Sequence, residues 1–240
     1  MFGLYHWVAL ALFASFAALE LLARGRSFPE MRLWRLRGAL FLAFYLAVAT
    51  FAPLFWDGWL GEHRLFDAST LPLWAQILFG FLALEFGIYA WHQTMHNVDP
   101  LWRWFHQMHH SAERIDIWSA FYFHPLDVIA FTFVGSLALV LGFGAGAEAA
   151  VAVNLLATFC SMFTHANIRT PRWIGWFVTR PESHSAHHER GVHARNYGDI
   201  PLYDMLFGTF HNPARFDGEV GFYDGASGRL GAMLAGRRVA

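Results

Sequence analysis

The chain has 240 residues, of which 56% are hydrophobic and only 15% are charged, whereas an average soluble domain is roughly 45–50% apolar and about 25% charged. This composition excludes an ordinary water-soluble domain. The 17 basic residues are all arginine and nearly balance 18 acidic residues, so the sequence predicts no cationic surface for nucleic acid.

Five apolar segments are candidates for membrane spans, each of which needs about 20 mostly apolar residues. Three of them are long enough to cross a bilayer alone. The last two are shorter and flank a glycine-rich turn, so they predict either a transmembrane hairpin or a re-entrant pair. In chain order the segments are 2–22, 38–56, 71–91, 128–143 and 147–163. The pattern predicts an all-α protein with four to five membrane spans.

The charges of the connecting loops predict the orientation of these spans. The loop after the first span carries five arginines and one glutamate, whereas the loop after the second carries three acids and one arginine. Because cytoplasmic loops are enriched in basic residues, we expect the first loop to be cytoplasmic. A full hairpin at 128–163 then places most of the 14 histidines on the cytoplasmic side, with only His6 and His63 opposite.

After Thr164 the chain is polar and contains no further segment of membrane-spanning length, which predicts a cytoplasmic helical cap. We divide the chain into an N-terminal transmembrane pair with its loops, 1–70, a catalytic region, 71–217, and a C-terminal tail, 218–240. The tail is rich in glycine and alanine, so we expect it to fray or to lie on the membrane surface.

Three clusters of histidines, termed boxes, carry the chemistry that the sequence predicts. The first contains His92 and His96, whose i,i+4 spacing places both imidazoles on one helical face. The second and third share an i,i+3,i+4 pattern and contain His106, His109, His110 and His184, His187, His188. His124 and His165 lie between the boxes. Because Cys160 is the single cysteine, any metal must be bound by nitrogen or oxygen.

One box alone is often only a set of hydrogen-bonded or solvated histidines, but three boxes on one side of a membrane predict metal binding. Eight or more imidazoles suit two ions, and ligand type alone does not choose among Fe, Zn, Cu and Ni. A nitrogen-rich iron pair beside apolar helices suits activation of O₂ against a lipid C–H bond. Glu85, seven residues before His92, is expected to orient a ligand imidazole; the alternative is a boundary glutamate facing another polar group.

The residues around the boxes resemble the motifs of the fatty acid hydroxylase superfamily, also called the sterol desaturase family. The resemblance extends in the family's order over roughly 85–210, about half of the chain. The matching segments are E-x₃-Y-x-W-H-x₃-H from Glu85, H-Q-M-H-H-S from His106, H-P-L from His124, F-T-H-x-N from Phe163, H-x₂-H-H from His184, N-Y-G from Asn196 and Y-D-x-L-F-G-T-F from Tyr203.

The resemblance implies a multi-pass membrane enzyme whose cytoplasmic cap binds two irons and uses O₂ to hydroxylate or desaturate a lipid. The implied metal ligands are His92, His96, His106, His109, His110, His165, His184, His187 and His188. Some branches have a further H-x₃-H pair in the region of His165, but here Ser161 and Arg169 occupy the positions four before and four after it. Either these nine histidines are the full set, or His124 or His193 completes it.

Two further residues of the matching segments, together with Glu85 and His124, are candidates for roles beside the metals. Asn196 either packs the third box against the cap or positions a metal-bound water. Asp204 either holds a box imidazole or caps a local turn. Electrons are expected from a separate electron-transfer protein, since no haem, flavin or cysteine-ligated iron–sulfur motif is present.

We therefore predict an O₂-dependent di-iron lipid hydroxylase. A desaturase, or a carotenoid or alkane oxygenase, on the same site is the alternative within enzymes, and a non-catalytic metal-binding membrane protein is the alternative from another class. A metal transporter would place histidines or acids at mid-span, where the first, second, fourth and fifth segments have almost none.

Overall fold

The computed structural model describes residues 3–240, and within that range the chain is helical and has no β-strand. The all-α prediction is thereby confirmed. The described α-helices are α1 Leu4–Leu22, α2 Trp34–Phe51, α3 Asp57–Glu62, α4 Leu73–Asn97, α5 Asp99–Leu101, α6 Gln107–His110, α7 Pro125–Ser136, α8 Ala147–His165, α9 Pro181–His187, α10 Pro201–Phe207 and α11 Leu230–Leu234. Phe2, where the first predicted span begins, lies outside the described residues.

Five of the described helical segments are long and apolar enough to cross a membrane, so the chain is a multi-pass membrane protein. They are α1, α2 with a 3₁₀ extension to Phe55, α4, α7 with a π-helical extension to Gly142, and α8. The last two segments have 18 and 19 residues. This length favours the transmembrane hairpin over the re-entrant pair.

Two of these helices extend beyond their predicted bounds, for identifiable reasons. α2 begins at Trp34, whose indole Nε1 donates a hydrogen bond to Asp116 Oδ1 at 2.9 Å and is buried. α4 continues to Asn97, because the sequence supplies no glycine or proline between Gly87 and Pro100 to end it. The extra turns of α4 carry the whole first box.

α4 packs against both α7 and α8, while α1 contacts α8 and α2 contacts α7. The centre of this bundle holds Leu84, Leu139 and Val153, each almost fully buried. Large apolar side chains are exposed on the outer faces, including Leu22 at 87% and Phe55 at 86%. Such faces suit helices surrounded by lipid rather than by water.

The ends of the bundle differ in character. Glu20, near the end of α1, accepts a 2.7 Å hydrogen bond from the backbone N–H of Asn167, which follows α8. At the other end, His6 Nε2 lies 2.7 Å from Thr50 Oγ1. The boxes therefore lie at the Glu20 end, and His6 lies at the opposite end, as the sequence predicts.

The C-terminal tail packs against the second box, whereas its composition led us to expect that it frays or lies on the membrane surface. Met233 is fully buried in a cluster with Met108 and Tyr122. The Gln107 side chain donates to the Arg237 carbonyl at 2.9 Å and accepts from the Val239 N–H at 3.2 Å.

Candidate metal centre

Four helical segments end close together and carry histidines into one buried region. They are the end of α4, a π-helical turn at Trp102–His106 together with α6, the end of α8, and α9. The histidines form two groups, in each of which the candidate ligand atoms lie within 4.8 Å of one another. The first group is His92, His96, His106, His110 and His187, and the second is His109, His165, His184 and His188. The structure thus brings together all nine residues that the resemblance implied as ligands.

The second and third boxes each divide between the two groups. His106 and His110 belong to the first group, whereas His109 belongs to the second. Successive residues of a helix turn by about 100°, so neighbouring imidazoles of one box face two adjacent centres. The rings of His110 and His188, one from each group, stack with centroids 4.0 Å apart. Box spacing predicts the clustering but not this division.

The imidazole nitrogens approach as ligands of a shared ion would. In the first group, His92 Nε2 lies 2.9 Å from His106 Nε2 and 3.1 Å from His187 Nε2. In the second, His184 Nε2 lies 3.0 Å from His165 Nε2. With metal–nitrogen distances of about 2.0–2.1 Å, neighbouring ligand nitrogens lie roughly 3.0–3.4 Å apart. The donor set therefore fits a metal in each group.

The protonation state of the box histidines also suits metal binding. Six box histidines lie outside the membrane-spanning helices, and burial, followed by the neighbouring imidazoles, lowers the pKa of each well below its ordinary value. They are His106, His109, His110, His184, His187 and His188. Neutral imidazole is the form that ligates metals, so the buried rings are ready to bind without first losing a proton.

One loop, residues 193–197, orients three ligands of the first group through its backbone. We call it the carbonyl loop. Each imidazole Nδ1–H donates to one of its backbone carbonyls, which leaves the lone pair of Nε2 directed toward the histidine group. The pairs are His92 with Tyr197 at 2.7 Å, His96 with His193 at 2.8 Å and His187 with Arg195 at 2.6 Å. Within the loop, His193, Arg195 and Asn196 have φ values of 43°, 72° and 46°, a conformation that L-residues adopt at a cost of about 1–2 kcal/mol each.

A carboxylate orients a further ligand, but it is not the predicted one. His106 Nδ1 lies 2.7 Å from Asp127 Oδ2, and both side chains are buried. Glu85, which was expected in this role, instead accepts a 3.3 Å hydrogen bond from the Ile200 N–H. The sequence does carry a signal for Asp127 that we missed: it is an acid in the first turn of the fourth span, directly after the His124-Pro125-Leu126 segment.

Asn196 and Asp204 hold the carbonyl loop in place. Asp204 accepts hydrogen bonds from the backbone N–H groups of Tyr197 at 2.8 Å and Gly198 at 2.9 Å, which is the turn-capping alternative. Asn196 Nδ2 donates to the carbonyls of Ser183 at 3.0 Å and His211 at 2.8 Å. This is the packing alternative, because it joins α9 to the rest of the cap.

The two candidates for an additional ligand lie outside both groups. His124 Nδ1 accepts a 3.1 Å hydrogen bond from the Leu126 N–H and caps the start of α7. His193 Nδ1 lies 3.1 Å from Nδ1 of His110. The other ring nitrogen of His110, Nε2, is buried and has no hydrogen-bond partner. His124 and His193 therefore make contacts beside the ligands, but neither belongs to a histidine group.

An apolar cavity of about 380 Å³ leads from the histidines into the membrane bundle. Its wall includes His92 and His165 at one end, then apolar residues such as Ile88 and Phe131. Along α8 the lining continues from His165 back to Ala150, a length of about 22 Å at 1.5 Å per residue. The cavity is shaped to hold an apolar chain with one end beside the histidine groups.

Comparisons with known proteins agree on one family. A model described as fatty acid hydroxylase matches residues 77–209. The chain is 31% identical over 186 residues to ornithine lipid hydroxylase OlsE of Rhizobium tropici, covering 75% of this chain and 54% of that protein. It is 28% identical over 159 residues to Delta(7)-sterol-C5(6)-desaturase of Nicotiana tabacum, covering 64% and 56%.

A third relative is alkylglycerol monooxygenase of Homo sapiens, which is 31% identical over 153 residues, covering 62% of this chain and 33% of that protein. The chain spans about half the length of the first two curated relatives it matches. No solved structure matches it.

Proposed function

The chain belongs to the fatty acid hydroxylase family, as its motifs predicted, and from this premise we propose that it is an O₂-dependent membrane hydroxylase that acts on a lipid at an unactivated C–H bond. The names of its relatives, a lipid hydroxylase, a sterol desaturase and a monooxygenase, support lipid oxygenation. The observation that carries the proposal is the junction of two histidine groups with an apolar cavity.

In this proposal the first group of five histidines holds one iron and the second group of four holds another. When bound, the irons supply the redox chemistry that reduces O₂ and oxidises the substrate. The chain positions them: Asp127 and the carbonyl loop fix the imidazole orientations, and burial excludes bulk water from the rings. The cavity holds the lipid chain beside them.

Hydroxylation consumes O₂, two electrons and two protons for each oxygen atom inserted, with water as the second product. We assign the electrons to a separate electron-transfer protein. The arginine-rich loop after α1 supports a cytoplasmic position for the cap, because that loop contacts the cap: the Arg26 backbone N–H donates to Asn167 Oδ1 at 2.9 Å. The donor would then dock on the cytoplasmic side.

The test compares the lipids of cells that express the intact protein with those of cells that express His187→Ala, and quantifies iron in both purified proteins. His187 belongs to the first histidine group, so we expect the variant to lose iron and activity together. His63→Ala is the matched control, because His63 is exposed and lies on the loop at the opposite end of the bundle.

A lipid that carries one additional oxygen with the intact protein and the His63 variant, but not with His187→Ala, supports hydroxylation. A lipid that has lost two hydrogens instead identifies a desaturase, which similarity to the sterol desaturase makes the second candidate. An unchanged lipid profile despite full iron loading and a working electron supply contradicts both functions and favours a non-catalytic metal-binding protein.

A further inference from the structure

The apolar cavity has a polar end far from the histidines. There its wall includes Thr50 and Pro53 near the end of the second span, and Asp57 on α3. Asp57 Oδ1 is buried and has no hydrogen-bond partner. This end is therefore chemically distinct from the apolar stretch that separates it from the histidine groups.

Several other polar groups along the cavity have hydrogen-bond partners. The hydroxyls of Tyr5, Tyr45 and Thr158 form a closed triangle with sides of 3.1, 3.2 and 3.3 Å. Ser136 Oγ accepts from the Trp56 indole N–H at 2.8 Å. Asp57 differs from these, because its buried oxygen lacks any donor.

A buried carboxylate oxygen without a donor is costly, and it becomes favourable when a cation or a strong donor lies against it. The loop that carries Asp57 is acidic, with three acids and one arginine between α2 and α4. Both the local group and its surroundings favour a positive charge.

The cavity also has a side opening at this level of the membrane. Val151 and Asn154 of α8 line the cavity and are both exposed, so the cavity is not closed along this part of α8. Asn154 Nδ2 is bonded to the Ala150 carbonyl at 2.8 Å, so its amide stays on its own helix. A lipid can therefore enter between the helices beside α8 without crossing the cap.

We propose that Asp57 forms a subsite for the protonated amine of a lipid substrate. The ammonium group lies against the carboxylate, and the apolar chain extends through the cavity for about 20 Å to the histidine groups. The carbon that reacts is then remote from the amine. This inference rests on the proposed lipid function, and it adds the charge and the orientation of the substrate.

The test uses the full-length protein in nanodiscs and a photoreactive hexadecylamine with a diazirine at the end of the chain remote from the amine. Unlabelled hexadecylamine and hexadecanol compete for the labelled site. We expect the amine to compete at least about tenfold better, because the alcohol cannot form the charge-assisted hydrogen bond to Asp57. The diazirine is expected to label residues at the histidine end, such as Ile88 or Phe131.

Asp57→Asn should abolish the preference for the amine, and Asp57→Glu should retain most of it. Glu62→Gln is the matched control, because Glu62 is exposed on the same short helix and does not line the cavity. Equal competition by amine and alcohol, an unchanged preference in Asp57→Asn, or labelling close to Asp57 would each overturn the proposal.

Because this assay requires no turnover, it separates the subsite from the proposed function. If the protein binds the amine selectively but inserts oxygen into no lipid, the subsite is supported and the hydroxylase function is contradicted. Hydroxylation of neutral lipids without selection for the amine would retain the hydroxylase and remove the subsite.

Discussion

A buried imidazole keeps one orientation only if the nitrogen that does not face the metal has a fixed partner. For His106 that partner is Asp127, whose Oδ2 lies 2.7 Å away in a region closed to solvent. Removing the acceptor leaves a buried N–H unpaired, which costs about 1–3 kcal/mol. Loss of such an outer partner also weakens metal affinity by roughly 10–100-fold.

Asp127→Ala is therefore expected to lose most of the iron of the first group, whereas Asp127→Asn retains an oxygen that can accept the His106 N–H. The measurement is iron per chain after dialysis against increasing chelator. We expect the alanine variant to release iron at roughly 10–100-fold lower chelator concentration than the intact protein, with the asparagine variant between them. Equal retention in the intact protein and the alanine variant would show that Asp127 does not support the site.

His124 has a different task, although it lies close in sequence to the second box. Its Nδ1 accepts the Leu126 N–H and caps α7, so we expect His124→Asn to keep both the cap and the full iron content. His124→Ala removes the cap and should lower the free energy of unfolding by about 1 kcal/mol. Thermal unfolding and iron analysis of both variants check this, and loss of iron from His124→Asn would instead identify a ligand.

The eight box histidines could be predicted because each box is a local helical pattern, and helix periodicity fixes which side chains share a face. His165 lies between the boxes, and only the family resemblance implied it as a ligand. The division of the histidines between two groups could not be predicted, since it depends on how α4, α6, α8 and α9 meet in space. Glu85 and Asp127 illustrate the same limit: both are acids near box motifs, and only the tertiary fold determines that Asp127 reaches an imidazole.

The elements that surround the centre are short and irregular, and they are stabilised by contacts with distant parts of the chain. The carbonyl loop keeps three residues at positive φ because Asp204 and Asn196 bind its backbone and its neighbours. The C-terminal tail supports the second box in a similar way through Gln107, which stands between His106 and His109. A glycine- and alanine-rich composition gave no sign of that contact.

Deleting residues 230–240 should therefore destabilise the second box. The deletion exposes Met108 and Tyr122, which Met233 covers, and it removes two hydrogen bonds from the buried Gln107 amide. The expected loss in the free energy of unfolding is roughly 3–5 kcal/mol, with reduced iron per chain. Thermal unfolding in detergent and iron analysis measure both effects.

Arg238→Ala is the control for this deletion. Arg238 forms an ion pair with Asp99 at the surface, where its side chain is 60% exposed, and exposed pairs contribute at most about 1 kcal/mol. We expect this variant to unfold like the intact protein. A deletion that left both the unfolding midpoint and the iron content unchanged would show that the tail packs on the box without supporting it.

At the scale of the whole molecule, one helical bundle carries both the histidine groups and the apolar cavity. The ends of α4 and α8 hold histidines, and the same two helices, with α7, enclose the cavity that leads to them. If the cavity is the path of the substrate, filling it should stop lipid oxidation without disturbing the metal groups. Ala157 is a suitable position for blocking the cavity without changing a ligand, because it lines the cavity two helical turns from His165.

Ala157→Phe is expected to retain the iron content of the intact protein and to lose at least about tenfold in lipid hydroxylation, because the added ring occupies space that the chain of the substrate needs. Leu156→Phe is the matched control: Leu156 is the adjacent residue of α8, is 42% exposed and faces away from the cavity. The measurement is product formed per iron for both variants in the same membranes. Full activity of Ala157→Phe at normal iron content would exclude this cavity as the path of the substrate, whereas loss of iron would show that α8 transmits packing changes to His165.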